Sequence, residues 1–521
     1  MKILKTIMLA LAMTMGASAQ QSITKSDALG ESVIRLRGCR MGTPNPKLAL
    51  RRAPSLQGDE NPYVGNRHQL VVLASFQDQD FAEDHDATIQ TWDKIFNAEN
   101  YAEDMYAGSV HDYFMAQSYG QFNLTFDLIF VELPDVRHKY RSTEEDDEYS
   151  QYMVDDVMDV LQTQDIDWSL YDWDGDTFVD QLLIIYAGKG MNVGGDKETI
   201  WPHQWWLSYH QNLETEEPND FRSYRTVMHG DKEYYVDKYC CVQEHVESSG
   251  IKTPFGTICH EYSHCFGFPD FYYGSAEVVG NWDLMDYGNY NGKGFRPCNY
   301  SAHERMLMGW LSPVELTSTT TITDMPALVD EPVAYLIRND GAENEYYFVE
   351  NRQQRGWDKD LPGSGIIVFH IDYDKAIWGE ISEYPNSDNK KRYQIFPANN
   401  KFDYWGYSGW GYPYITTDDL GNNSLVNDCL TNTSAPAATL NHPNIDDELL
   451  MSKPITQMFI DANGLASFVF MDDKTTSVHD VSNYQEQMGN GAGPVYDLRG
   501  RHLPKPTKGL YIQGKKLRLK K

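Results

Sequence analysis

No stretch of this 521-residue sequence offers the roughly 18 consecutive apolar residues that a membrane-spanning helix needs. Positive charge is scarce as well: 44 Lys and Arg stand against 76 Asp and Glu, a formal charge of −32. A surface of that sign repels phosphate backbones and anionic lipid, which argues against nucleic-acid or membrane-surface binding as the main activity. Cysteine is sparse, and its pattern is uninformative. The seven cysteines include no CxxC pair, so a cysteine-built zinc site has no support. Cys259 and Cys265 lie six positions apart on an expected helix, roughly 9 Å, and cannot bridge each other; both read as buried packing. Solenoid-type repeats are also lacking.

Hydrophobic residues make up 41% of the chain, enough for sizeable cores in two or three folded units. Lys2 and Lys5, an apolar run from Ile7 to Met15, and Ala17-Ser18-Ala19 read as a signal peptide over residues 1–19, so export is expected. Residues 20–65 are polar and turn-rich, with a dibasic Arg51-Arg52, and read as a propeptide or linker. Buried-strand patterns follow at 69–76, near 123–133 and at 181–186. Tyr149, Tyr152, Met153, Val157, Val160 and Leu161 recur at helical spacing. Residues 66–316 are therefore expected to form a first folded unit of α+β class, a mixed sheet plus one critical helix. Short alternating runs at 333–337, 346–349, 366–371 and 466–470 predict a β-rich domain over 317–471. A linker at 472–494 and a basic, strand-prone tail at 495–521 complete the chain.

The critical helix contains His260-Glu261-Tyr262-Ser263-His264. Thr253-Pro254 suits a helix start and Gly267 a helix stop. Histidines four apart share one face and can direct two imidazoles at one ion, while Glu261 stands beside the first ligand, placed to act as general base. HExxH alone also fits two histidines merely hydrogen-bonded in a core. The continuation weakens that reading. Gly267 permits a sharp turn that returns Asp270 as a third zinc ligand, giving HExxHxxGxxD. Glu304 and Glu277 are the alternative carboxylates. Met285, in Trp282-Asp283-Leu284-Met285-Asp286-Tyr287-Gly288, suits a tight turn beneath the ligands, with Tyr287 as a hydrogen-bond donor in catalysis.

Together with Gly108-Ser109-Val110, Asp112-Tyr113-Phe114, Ser118-Tyr119-Gly120, Trp201-Pro202-His203-Gln204 and Tyr346 through Arg352, these strings resemble the M6, or immune inhibitor A-like, metallopeptidases over about residues 66–410. The resemblance implies a secreted, metzincin-type zinc endopeptidase made as a zymogen and acting on protein or peptide substrates. Relatives often carry an acid where Tyr273 stands. An inactive zincin-fold binding or adhesion protein is the competing reading.

Asp172, Asp174, Asp176 and Asp180 surround Gly175, a spacing of oxygens that suits Ca²⁺. Thr177 at the sixth position and the missing Glu at the twelfth set it apart from an EF-hand, and a solvated acidic turn is the alternative to calcium. Trp201, His203 and Trp205 suit either a substrate cleft or a core wall. Cys39 offers a thiol that would cap the zinc in a latent form. The C-terminal tail resembles a short sorting domain for type IX secretion.

Overall fold

Seven consecutive residues from Gln69 to Ser75 are buried, as a strand covered on both faces must be. They lie in β1 (Gly65–Ser75), an interior strand of a sheet completed by β2 (Phe122–Glu132), β3 (Leu182–Lys189), β4 (His203–Trp206) and β5 (Lys238–His245). The order is β2-β1-β3-β5-β4; the first four strands are parallel, and β4 runs antiparallel along the edge. The computed structural model describes residues 61–472 except loops at 142–148, 194–198, 210, 213–216, 219–223, 246–254, 273–277, 381–384, 387–389 and 402–408, plus short strands between 495 and 520. The signal peptide, Cys39, Arg51-Arg52, Thr253-Pro254, Tyr273 and Glu277 lie outside the described residues.

Parallel strands need crossovers, and helices supply the first two. Helix α1 (His85–Asn97) and α2 (Val110–Gln117) connect β1 to β2, and α3 (Ser150–Leu161) connects β2 to β3. Met153, Val154, Val157, Met158 and Leu161 form the buried face of α3. The start of α2 is set by Ser109 and Asp112, which cap each other's backbone N–H groups. Gly108 just before it leaves room for Trp357: a Cβ there would lie 2.7 Å from that ring.

A second five-stranded sheet follows, ordered β6 (Val314–Glu315), β7 (Tyr335–Asn339), β8 (Ala342–Arg352), β9 (Gly365–Asp372) and β10 (Tyr393–Ile395). Its two faces serve different cores. Tyr346, Phe348, Ile367, Phe369 and Ile371 pack into the cluster that also holds β1, β3 and β5. Alternate residues Tyr347, Val349, Ile366 and Val368 pack under a three-stranded antiparallel sheet of Thr320–Met325, Ala466–Phe470 and Ile455–Ile460. This period-two alternation makes the second sheet a shared wall between both halves. Four antiparallel strands between 495 and 520 form a small sheet in the tail.

Candidate metal centre

Every residue of α4 (Phe255–Ser263) is buried. The helix tightens into a 3₁₀ turn over His264–Phe266 and stops at Gly267, whose φ of 91° is left-handed. Aromatic packing fixes its orientation. Tyr262 lies 5.4 Å from Phe114 and from Phe266, and its hydroxyl donates to Gln69 Oε1 at 2.7 Å, tying the helix to β1. Ser263 donates to the Cys259 carbonyl instead of offering its hydroxyl to water.

With those faces occupied, His260 and His264 point the other way, their ring centroids 4.9 Å apart. Each ring is held through Nδ1 by a backbone carbonyl: His260 by Leu284 at 2.8 Å, His264 by Phe268 at 2.7 Å. Such bonds place the proton on Nδ1 and turn each Nε2 lone pair inward. Asp270 meets them there. Its Oδ1 lies 3.2 Å from His260 Nε2 and 3.5 Å from His264 Nε2. Asp270 is fully buried, and beyond these contacts with the two rings neither of its oxygens has a hydrogen-bond partner; His264 Nε2 has none either. A buried carboxylate with so few polar contacts is costly, and a cation among these three atoms would lower the cost. Burial pulls the His260 pKa down, but the Asp270 carboxylate outweighs it and raises it to about 9. For His264 burial prevails and the pKa falls to about 4.

The segment after the helix braces this cluster. Asp283 Oδ1 accepts the Met285 N–H at 2.9 Å, closing the turn from which Leu284 reaches His260. The Met285 carbonyl accepts the Phe271 N–H at 2.9 Å, next to Asp270, and the Met285 side chain is fully buried. Asp286 Oδ2 gathers the N–H groups of Val278, Val279 and Gly280 at 2.8–2.9 Å. Burial raises the pKa of Asp283 to about 7 and that of Asp286 to about 6. In the sequence both acids are marked only as two carboxylates within an apolar stretch. Glu261 is buried beside His260. Tyr287 is half-buried, its ring 6.4 Å from Tyr272, two residues past Asp270. Glu304 is engaged elsewhere: its carboxylate accepts from the N–H and hydroxyl of Ser301 in a capping box.

The structure brings Asp172, Asp174 and Asp176 within 4.8 Å of one another. Asp174 and Asp176 fold back on the N–H groups of Asp176 and Phe178, and Asp172 Oδ2 accepts from Thr177. Asp172 Oδ1 is buried and unpartnered. Asp180 is not in this group. It turns inward to accept the Trp173 N–H at 2.6 Å, and burial raises its pKa to about 7. His203 belongs to the core, held between the Trp201 carbonyl at 2.6 Å and the Tyr239 hydroxyl at 3.0 Å. Cys240, Cys241, Cys259, Cys265, Cys298 and Cys429 are free thiols.

Two imidazoles and one carboxylate converging from a buried helix and its return loop define a three-donor centre on an α/β scaffold. Residues 63–309 match the model of the immune inhibitor A peptidase M6 catalytic domain. Immune inhibitor A of Bacillus thuringiensis subsp. alesti is 28% identical over 183 residues, covering 31% of this chain and 25% of that protein. The similarity thus spans about a quarter of that relative's length.

Proposed function

We propose that this chain is an exported zinc endopeptidase with a metzincin-type site, in which His260, His264 and Asp270 hold the ion. The observation that carries this reading is the buried Asp270 carboxylate, whose close polar contacts are two inward-facing Nε2 atoms at 3.2 and 3.5 Å. Two nitrogens and a carboxylate oxygen suit zinc and leave a position open for catalysis. A bound zinc ion would supply Lewis acidity, bringing the pKa of a water towards 7 and polarising a peptide carbonyl.

The protein's own groups do the rest. Nδ1 bonds to Leu284 and Phe268 fix both imidazoles as neutral donors. Glu261 takes a proton from the attacking water and returns it to the leaving amine. Tyr287 donates a hydrogen bond to the developing oxyanion. Calcium at Asp172, Asp174 and Asp176 stiffens the loop before β3. Cleavage near Arg51-Arg52, ahead of Asn61 and the buried Tyr63, activates the enzyme outside the cell. Glu261 and both histidines are retained, which favours hydrolysis over an inactive binding or adhesion role. Purified, processed protein is expected to cleave unfolded protein, to stop when zinc is chelated and to resume when zinc is restored. Cleavage that persists at full rate in the metal-free protein would contradict the proposal.

A further inference from the structure

The ligands' supports converge on two residues far along the chain. Asp283, whose Oδ1 closes the turn carrying Leu284, accepts on its other oxygen the Tyr393 hydroxyl at 2.7 Å. Phe271, which follows Asp270 directly, gives its carbonyl to Asn386 Nδ2 at 2.7 Å and stacks its ring on Tyr393, centroids 3.8 Å apart. Asn386 and Tyr393 are locked together: Asn386 Nδ2 donates to the Tyr393 carbonyl at 3.0 Å, and the Tyr393 N–H donates to Asn386 Oδ1 at 3.0 Å. Tyr393, Asp283 and Phe271 are fully buried and Asn386 nearly so, so water does not substitute for these bonds.

We propose that Tyr393 and Asn386, both beyond the segment matched to the M6 peptidases, are positioning residues of the metal centre. The inference rests on the zinc reading above. Tyr393 acts through Asp283 and the Leu284 carbonyl on the His260 ring. Asn386 acts through the Phe271 carbonyl on the backbone that carries Asp270. Partners at this remove set ligand orientation, and losing one typically lowers metal affinity about 10- to 100-fold. The β-rich half therefore takes part in the site as well as in the core.

The test uses the full chain loaded with zinc, and separately with Co²⁺ as a spectroscopic probe. Tyr393→Phe removes only the hydroxyl and keeps the stacking; Asn386→Ala removes the other brace. Tyr347→Phe is the control. It sits on β8, and its hydroxyl donates to the Thr439 carbonyl at 2.6 Å in the other core. Tyr393→Phe and Asn386→Ala are expected to release zinc to a chelator about 10- to 100-fold faster than wild type, with shifted Co²⁺ absorption bands. The control is expected to keep the wild-type rate and spectrum even where its melting temperature falls equally. Wild-type release and spectra in both variants, or equally fast release from the control, would overturn the positioning role. A wild-type protein that takes up no zinc would instead overturn the zinc reading and this inference with it.

Discussion

The His260 ring and the Leu284 carbonyl meet at 2.8 Å across a sequence separation of 24 residues. That bond joins the helix carrying two donors to the turn beneath them. It leaves Asp270 as the only carboxylate grouped with both histidines among the described residues. Asp270→Ala is therefore expected to leave the purified protein with well under one zinc per chain, measured by elemental analysis. Full zinc content in that variant would remove Asp270 as a ligand.

The stop at Gly267 is equally specific. With φ at 91°, any side chain there is strained, and Gly267→Ala is expected to cost about 1–2 kcal/mol in stability. Because the next residues carry Phe268 and Asp270, zinc retention should fall with it. Denaturant unfolding at wild-type stability would contradict the assignment of the turn.

Acid should destabilise the fold through His303. Its ring is buried among Tyr346, Phe348, Tyr373, Trp378 and Tyr393, and burial lowers its pKa to about 3. The unfolded chain, with an ordinary imidazole, binds a proton near pH 6.5 that the folded chain refuses. Stability therefore falls as pH drops from about 6.5 towards 3, by up to about 1.4 kcal/mol per unit. Asp283 and Glu304, whose folded pKa values are raised, slope the other way. The difference between wild type and His303→Phe isolates the imidazole: the variant should lose about one proton's worth of slope over this window. Parallel pH–stability curves would refute it.

Calcium at the acidic loop makes a conditional prediction. Asp174→Ala should lower the melting temperature relative to wild type only when Ca²⁺ is supplied. Equal loss with and without calcium would mean that the loop is held by its own hydrogen bonds.

Much of the site was legible because its signals are local. The four-residue spacing of His260 and His264, the stop at Gly267 and the apolar runs of β1 and β3 depend on period and backbone freedom alone. What escaped depends on the fold. Asp180 lies only four residues beyond the last of the loop acids, Asp176. Only the chain's entry into β3 turns it towards Trp173 N–H. Tyr393 lies 110 residues from Asp283, and nothing in either segment marks the pairing. His203 read equally well as cleft or core until Tyr239 and the Trp201 carbonyl were seen to enclose it.

The most direct test of the central claim is Glu261→Gln, assayed for bound zinc and for hydrolysis of an unfolded protein on the same preparation. The account predicts one zinc per chain, as in wild type, with hydrolysis reduced by about 100-fold or more. Hydrolysis at the wild-type rate with zinc still bound would contradict it.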